Sequence, residues 1–457
     1  MERPARSPDR RRRVLLVARF FPPLGGAGVH RSLGSARHLP EHGYDVTVLT
    51  GSGGGLDRWS PEDPGLLAGL PEGTVIHRIP GPEPTDPRWT RRAERLLMTR
   101  TPWIRWWLDG VVRHGLECGR DADLVYVSCG PYETAYAGAR LAALLGKPWI
   151  ADLEDPWALD EMRVHPTALH LRVDRRRMRR ALSTASAVVM CAPEAAARVR
   201  RSFPGLAAGD VAGIEIGFDS GAFRAPRGAG GPGAPFRIVH TGSMHTDLGQ
   251  RHRRSRRARR VLGGLPEDVD ILTRSHVFLL EAIERVLAED PSLAGRVELH
   301  LAGDLTAADR AASAGHGFVR DHGSLPHAQT VALMRSADLL FLPMHDLPAG
   351  TRAGLVPYKT YEYLAAERPI LAAVPDGDVR DMLAPLAHVS VVRPADVAGM
   401  ARAIREWMAR APVESVTQGV GSPELRELER RCVVGRIAGV LDGVLGVPSA
   451  PPLRAAG

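Results

Sequence analysis

Two series of short apolar runs, each run followed by a segment with helical spacing, constrain this 457-residue chain more than any other feature. The first series holds RVLLVARFF (13–21), YDVTVLT (44–50), DLVYVSCGP (123–131), PWIADLEDP (148–156) and SAVVMCAP (186–193). The second holds FRIVHTGS (236–243), RVELHLAGD (296–304), DLLFLPM (338–344) and PILAAV (369–374). Most of these runs, RVLLVARFF, DLLFLPM and PILAAV among them, do not alternate apolar with polar residues, so they read as strands buried on both faces, in parallel sheets covered by helices. Between the series lies GFDSGAFRAPRGAGGPGAP (217–235), where Gly, Ala and Pro dominate as they do in linkers. The chain therefore reads as α/β, with two doubly wound, Rossmann-like domains at 13–220 and 236–423 joined by a linker at 221–235. A helix is expected at 424–446, a basic disordered tail at 1–12 and a second disordered tail at 447–457.

Composition narrows the class. A hydrophobic content of 44% with 25% charged residues is that of a soluble globular protein, and no run of 18 apolar residues offers a membrane span. The basic N-terminus leads into an apolar run broken by Arg19 and then into PPLGG, which does not read as a signal peptide. The four cysteines form no C-x-x-C pair and have no histidine at metal-ligand spacing, so they read as reduced thiols of a cytoplasmic protein. A net charge of +8 favours an anionic partner. The densest basic run, RHRRSRRARR (251–260), lacks aromatics for base stacking and any nucleic-acid motif, so nucleic acid is not the expected partner and the run reads as a solvated, mobile loop. PWIRWWLDGVV (102–112) has three tryptophans that suit either packing between helices or contact with a membrane surface.

In doubly wound sheets ligands bind beyond the carboxyl ends of the strands. FPPLGGAGVHR (21–31) lies at such a place, and Gly25, Gly26 and Gly28 let backbone N–H groups approach an anion there. It lacks the Lys-Ser/Thr of a P-loop and the spacing of a dinucleotide fingerprint. GLVPYKTYEYLAAERPI (354–370) lies at another and contains one of only two lysines among 60 basic residues; the other is Lys147. Pro357 suits a helix start and Pro369 its end, which puts Lys359 in the first turn, beside free N–H groups. A cation there is unfavourable unless an anion binds, and a compact ammonium differs in shape from the guanidinium used elsewhere in the chain. Glu362 shares its face, and the pair reads as a clamp, ammonium on diphosphate and carboxylate on ribose hydroxyls, with a plain intrahelical ion pair as the alternative.

Taken together, FPPLGGAGVHR, PWIADLEDPW, FRIVHTGSMH and VPYKTYEYLAAERPILA resemble the GT-B-fold glycosyltransferases of the family 4 type, and in particular a bacterial branch with FPP-x-GGAG and VP-x-K-x-x-EYLA segments. The resemblance extends over most of 13–400 and includes IEIGFD (214–219), where Ile216 replaces an Asn. It implies two domains facing across a cleft and a retaining transfer of sugar from a nucleotide-diphosphate donor, with no metal or other cofactor in the chemistry. Gly25 and Gly26 would face the donor phosphates or sugar, Gly242 and Ser243 would face the same cleft, and Leu325 would pack on the nucleobase. Lys359 would hold the diphosphate and Glu362 the ribose.

Some positions depart from the family pattern. Gly354 stands where the E-x7-E motif has its first Glu, DLEDPW replaces DFRDPW, and SCGPYETAY (128–136) lacks the histidines of its counterpart. Asp152 and Asp155 remain candidates for positioning acceptor or sugar, and Arg352 or the 251–260 run for an additional cation. The acceptor is a hydroxyl-bearing molecule of unspecified class: a surface glycan, a lipid-linked sugar or a metabolite. A GT-B epimerase and a donor-binding homologue without transferase activity are the alternatives.

Overall fold

The computed structural model describes residues 10–53, 61–206, 211–223, 233–264, 268–410 and 423–447. The expected linker and both tails lie largely outside them.

Among the described residues thirteen strands form two sheets. The first holds β1 (Arg12–Val17), β2 (Tyr44–Thr50), β3 (Val75–Arg78), β4 (Leu124–Ser128), β5 (Trp149–Leu153), β6 (Ala187–Met190) and β7 (Val211–Gly213), in the order β3-β2-β1-β4-β5-β6-β7. The second holds β8 (Phe236–Thr241), β9 (Val297–Ala302), β10 (Val319–Asp321), β11 (Leu339–Pro343), β12 (Ile370–Ala373) and β13 (Val389–Val392), in the order β10-β9-β8-β11-β12-β13. Every neighbouring pair is parallel. These are two doubly wound domains, and each changes winding direction beside its first strand, where a crevice opens.

The unalternated apolar runs are explained by burial on both faces. Leu15 and Val17 of β1 pack with Trp107 and Leu141 on one side of the first sheet, while Val14 and Leu16 pack with Leu33 on the other. The second face is closed by the C-terminal helix Arg430–Leu445, which contributes Val433, Val434, Ile437 and Leu441. The chain thus returns to its first domain. Arg430 anchors that return, donating from its guanidinium to the carbonyls of His30 (2.9 Å), Ile216 (3.2 Å) and Gly217 (2.9 Å) and to the Tyr358 hydroxyl (3.1 Å).

Two segments take forms that composition alone left open. The arginine run is not a loop but the centre of the helix Thr246–Leu262, capped by Gly263 in the left-handed region. Arginine is a good helix former, and Asp268 and Asp270 pair with Arg256 (2.7 Å), Arg260 (2.5 Å) and Arg253 (2.6 Å) along it. PWIRWW begins the helix Pro102–Cys118, where Trp107 is buried with its indole N–H on Thr134 (2.9 Å) and none of the three tryptophans is exposed. Among the described residues no helix is long and apolar enough to cross a membrane.

Asp152 is held inside the first domain. Its carboxylate accepts twice from Arg31 Nε (2.7 and 2.8 Å) and once from the Tyr126 hydroxyl, and both members of the ion pair are 2% exposed. Arg31 also donates to the carbonyls of Ile214 (2.9 Å) and Glu215 (3.0 Å), so it ties the start of the first helix to the end of the domain. Asp152→Ala would leave a buried guanidinium without its counter-charge. The expected loss is about 3–5 kcal/mol, read as a fall in the urea midpoint.

Candidate functional site

A cleft of about 850 Å³ opens between the carboxyl ends of β1 and β8. Its first-domain wall is the loop after β1. Gly26, with φ +85°, and Gly28 line the cleft there. Gly25 lies behind them: its N–H donates to the Pro61 carbonyl (2.6 Å), and a Cβ would stand 3.0 Å from Asp63 Cβ. Gly25 therefore supports the loop, and Gly26 and Gly28 provide the surface.

The opposite wall contains Gly242, Ser243 and Leu325. Between them the helix Tyr358–Ala365 points its N-terminus into the cleft, with Pro357 as the preceding cap residue. Lys359 lies in the first turn, and its Nζ is 3.0 Å from His240 Nε2. The other ring nitrogen of His240 donates to the Phe341 carbonyl (2.9 Å), which leaves Nε2 as an acceptor for the ammonium. Burial, and secondly the Lys359 charge, hold His240 well below the usual histidine range and so neutral. A Cβ at Gly242 would be 3.0 Å from Nζ and 3.3 Å from Cε, so the amine passes through a channel that a wider head group would not share.

Burial and the nearby Arg274 guanidinium bring the Lys359 pKa down to about 7, with Glu362 opposing them. Two cations and a helix N-terminus converge here, a site poised for an anion. Arg274, which also lines the cleft, escaped the sequence reading. It precedes the helix Val277–Glu289, and only its place before an apolar helix hinted at a site. Arg352, the earlier candidate, is instead taken up by Asp381 (2.7 Å) and Asp378 (3.1 Å) and does not line the cleft.

Glu362 Oε1 is 2.8 Å from His327 Nε2, an ion pair that raises the His327 pKa despite burial. His327 lies 5.2 Å from the His30 ring, which stacks on Tyr358 at 4.3 Å. The Glu362 carboxylate thus bonds to a histidine of another helix rather than to Lys359, a partner that spacing within one helix could not reveal.

On the first-domain side lie Glu154, Asp155 and Asp160. Burial raises all three; Asp155 adds to the effect on Glu154, and Asp155 with Glu161 pushes Asp160 up to about 7. Phe20, Glu154 and Asp155 also line a second chamber of about 1020 Å³, so the two cavities meet at these side chains. Tyr132 and Trp157 stack in parallel there at 5.4 Å, and Arg163 lies 4.9 Å from the Tyr132 ring centroid. Trp157 has φ +48°, a strained conformation for an aromatic residue, and its indole donates to Asp174 (3.1 Å).

Gly354 does not line the cleft. Its N–H donates to Glu161 Oε1 (3.0 Å), and a Cβ would meet the Arg198 guanidinium at 3.1 Å. Glu161 is fully buried between Arg198 (2.5 Å) and His345 (3.0 Å), and these partners bring its carboxyl down to about 2 against the effect of burial. Where the family motif has a glutamate, this chain packs an arginine from the other domain.

Two facing parallel-sheet domains, with a lysine at a helix N-terminus in the cleft between them, are the arrangement of the GT-B fold. Residues 25–213 match the glycosyl transferase 4-like domain and residues 271–410 the domain of glycosyl transferases group 1. The chain belongs to the family 4 type of glycosyltransferase. No curated protein matches it in sequence. Solved structures share its fold: sucrose-phosphate synthase from Thermosynechococcus elongatus (TM-score 0.61, 16% identity, 95% of this chain and 100% of the other) and Anabaena HepE in complex with UDP and glucose (0.56, 13%, 94% and 100%). The trehalose-6-phosphate structure from E. coli bound with UDP-2-fluoro glucose is similar as well (0.57, 13%, 96% and 100%).

Gly242→Ala tests the lysine channel. At Gly242 (φ +99°) an alanine has an unfavourable backbone and meets Lys359, whereas at Gly43 (φ +84°) it meets nothing within 4 Å. Gly43→Ala is expected to cost about 1–2 kcal/mol by urea denaturation. Gly242→Ala is expected to cost more, the excess being the displaced amine.

Proposed function

We propose that the chain transfers a glycosyl group from a nucleotide-diphosphate sugar to a hydroxyl-bearing acceptor, with retention of anomeric configuration. The carrying observation is Lys359: a half-buried ammonium at a helix N-terminus beside Arg274, with its pKa brought down to about 7. Its protonated form is disfavoured until an anion binds, and a diphosphate satisfies the ammonium, the guanidinium and the free N–H groups at once. Similar structures holding UDP, or UDP-2-fluoro glucose, support that choice of ligand.

In this reading the diphosphate lies on the Pro357–Lys359 turn, with Arg274 alongside. The ribose hydroxyls donate to Glu362, which His327 orients, and the base lies against Ser324 and Leu325. Gly26 and Gly28 bring backbone close to the sugar. Asp155, at the junction of the cavities, positions the sugar or the incoming hydroxyl, and the second chamber takes the acceptor. The anomeric C–O bond to the diphosphate breaks while the acceptor oxygen forms its own bond to that carbon. The acceptor proton passes to the departing diphosphate oxygen on the same face. Lys359, Arg274 and the helix N-terminus stabilise the charge on the leaving group, so the proposal includes no metal. Retention in this proposal is carried over from the family 4 type to which the chain belongs.

Thermal melting with a panel of UDP-, GDP- and dTDP-sugars tests the donor. One nucleotide class at 100-fold over its Kd is expected to add about 2.7 kcal/mol, and a flat result across the panel overturns the reading. Lys359→Ala is expected to lower kcat/KM by about 10²–10³, with Lys359→Arg restoring little of it. The pH dependence has a definite sign. Bound donor keeps Lys359 protonated, whereas in the empty cleft it loses its proton above about pH 7. Donor affinity should be flat below that pH and fall by up to about tenfold per unit above it, measured calorimetrically with a sugar nucleotide, whose diphosphate diester does not titrate there.

A further inference from the structure

Nine large apolar side chains are exposed among the described residues, and seven of them lie on three helices that touch, Leu248 at the start of one and the other six as follows. The helix Arg88–Leu97 carries Trp89 (71% exposed), Leu96 and Leu97 (69%); Ala168–Leu182 carries Leu169; and Thr246–Leu262 ends in Val261 (88%) and Leu262. Direct contacts join the three. His170 Nε2 is 3.0 Å from the Leu96 carbonyl, and Arg177 donates to the Met98 carbonyl (2.9 Å). The His165 N–H donates to the Gly264 carbonyl (2.9 Å), and a Cβ at Gly263 would be 3.0 Å from that of Ala168. The third helix belongs to the second domain, so the face spans both.

Its charge is nearly all of one sign. The helices contain four, six and seven arginines against one acidic residue each. Of those acids, Asp174 is turned inward onto Trp157 and His165. Arg175, Arg176, Arg254 and Arg257 are exposed with no acidic partner among the described residues. Arg88–Leu97 has only Thr90 buried, so it lies on the body as a strongly amphipathic helix with tryptophan and leucines outward. Apolar side chains set among arginines match an interface in which acyl chains lie beneath phosphate groups. Two copies of such a face would repel each other, and a single exposed tryptophan is too little for base stacking.

We propose that these three helices form a docking face for an anionic lipid membrane. Arg254 and Arg257, which the acids pairing along the 251–260 run leave over, then act as an electrostatic anchor. The second chamber opens beside this face, since Arg95, Met98, His170 and Arg177 line it, and its acceptor is drawn from the lipid surface. That last step rests on the chamber being the acceptor site; the docking does not.

The test is co-sedimentation of the full chain with vesicles of phosphatidylcholine, alone or mixed with phosphatidylglycerol, in the absence of nucleotide sugar. Binding to the mixed vesicles at low salt, weakening as salt rises, and none to the neutral ones is the expected result. Trp89→Ala with Leu97→Ala, and separately Arg254→Glu with Arg257→Glu, should each reduce binding at least fivefold with the melting temperature unchanged. Val261→Ser offers a second apolar test if the first pair fails to fold. Failure to pellet with anionic vesicles, or equal binding by all variants, overturns the proposal. So does a self-association or an oligonucleotide affinity that the same substitutions abolish while vesicle binding is absent. Donor binding, measured separately by melting, is untouched by any of these outcomes.

Discussion

The Glu161 carboxylate, sealed between the two domains, is the constraint on which the site depends. It belongs to the first domain, yet two of its three partners, His345 and the Gly354 N–H, belong to the second. A buried charge costs several kcal/mol to desolvate, and it is tolerated only while its partners stay in place. Sliding one domain against the other would strand it. Arg430 does the same from the other side with a positive charge, holding the His30 carbonyl of one domain and the Tyr358 hydroxyl of the other. These two joints set the separation at which the Gly26 loop faces Lys359.

Seen this way, the missing glutamate at 354 is a consequence of packing. A side chain there would run into Arg198, whose guanidinium is needed by Glu161 and also donates to the Arg352 carbonyl. The chain has used that space to fasten its domains together. Negative charge is still present at the site, contributed by Glu154, Asp155 and Asp160 from the opposite wall.

Much of this was legible from local pattern. Strands buried on both faces leave no polar alternation, so VLLV and LVYVS could be placed in parallel sheets, and Pro357 with Lys359 and Glu362 located a helix start. What local pattern cannot convey is distance. The helix Arg430–Leu445 reads as one more amphipathic segment, and nothing in its spacing says that it covers the sheet 400 residues earlier. Asp152 and Asp155 sit three residues apart in DLED, yet strand alternation and the turn after it send one into the core against Arg31 and leave the other at the cleft. Arg274 is one arginine among 58 by composition and becomes distinctive only beside Lys359. The 251–260 run misled because charge density resembles loop composition, whereas its acidic partners, Asp268 and Asp270, come just after the helix ends.

The return of the chain to its first domain also shapes how the domains can move. Phe218, on the way out, and Glu429, on the way back, form a parallel β-bridge: the Phe218 N–H donates to the Leu428 carbonyl (3.0 Å), and the Arg430 N–H donates to that of Phe218 (2.7 Å). The connection is therefore two-ply. A single break in the polypeptide between the domains leaves them tethered, and torsion about one strand is resisted by its neighbour. Two segments side by side resist torsion between the domains, which keeps the lysine-bearing helix facing the glycine loop.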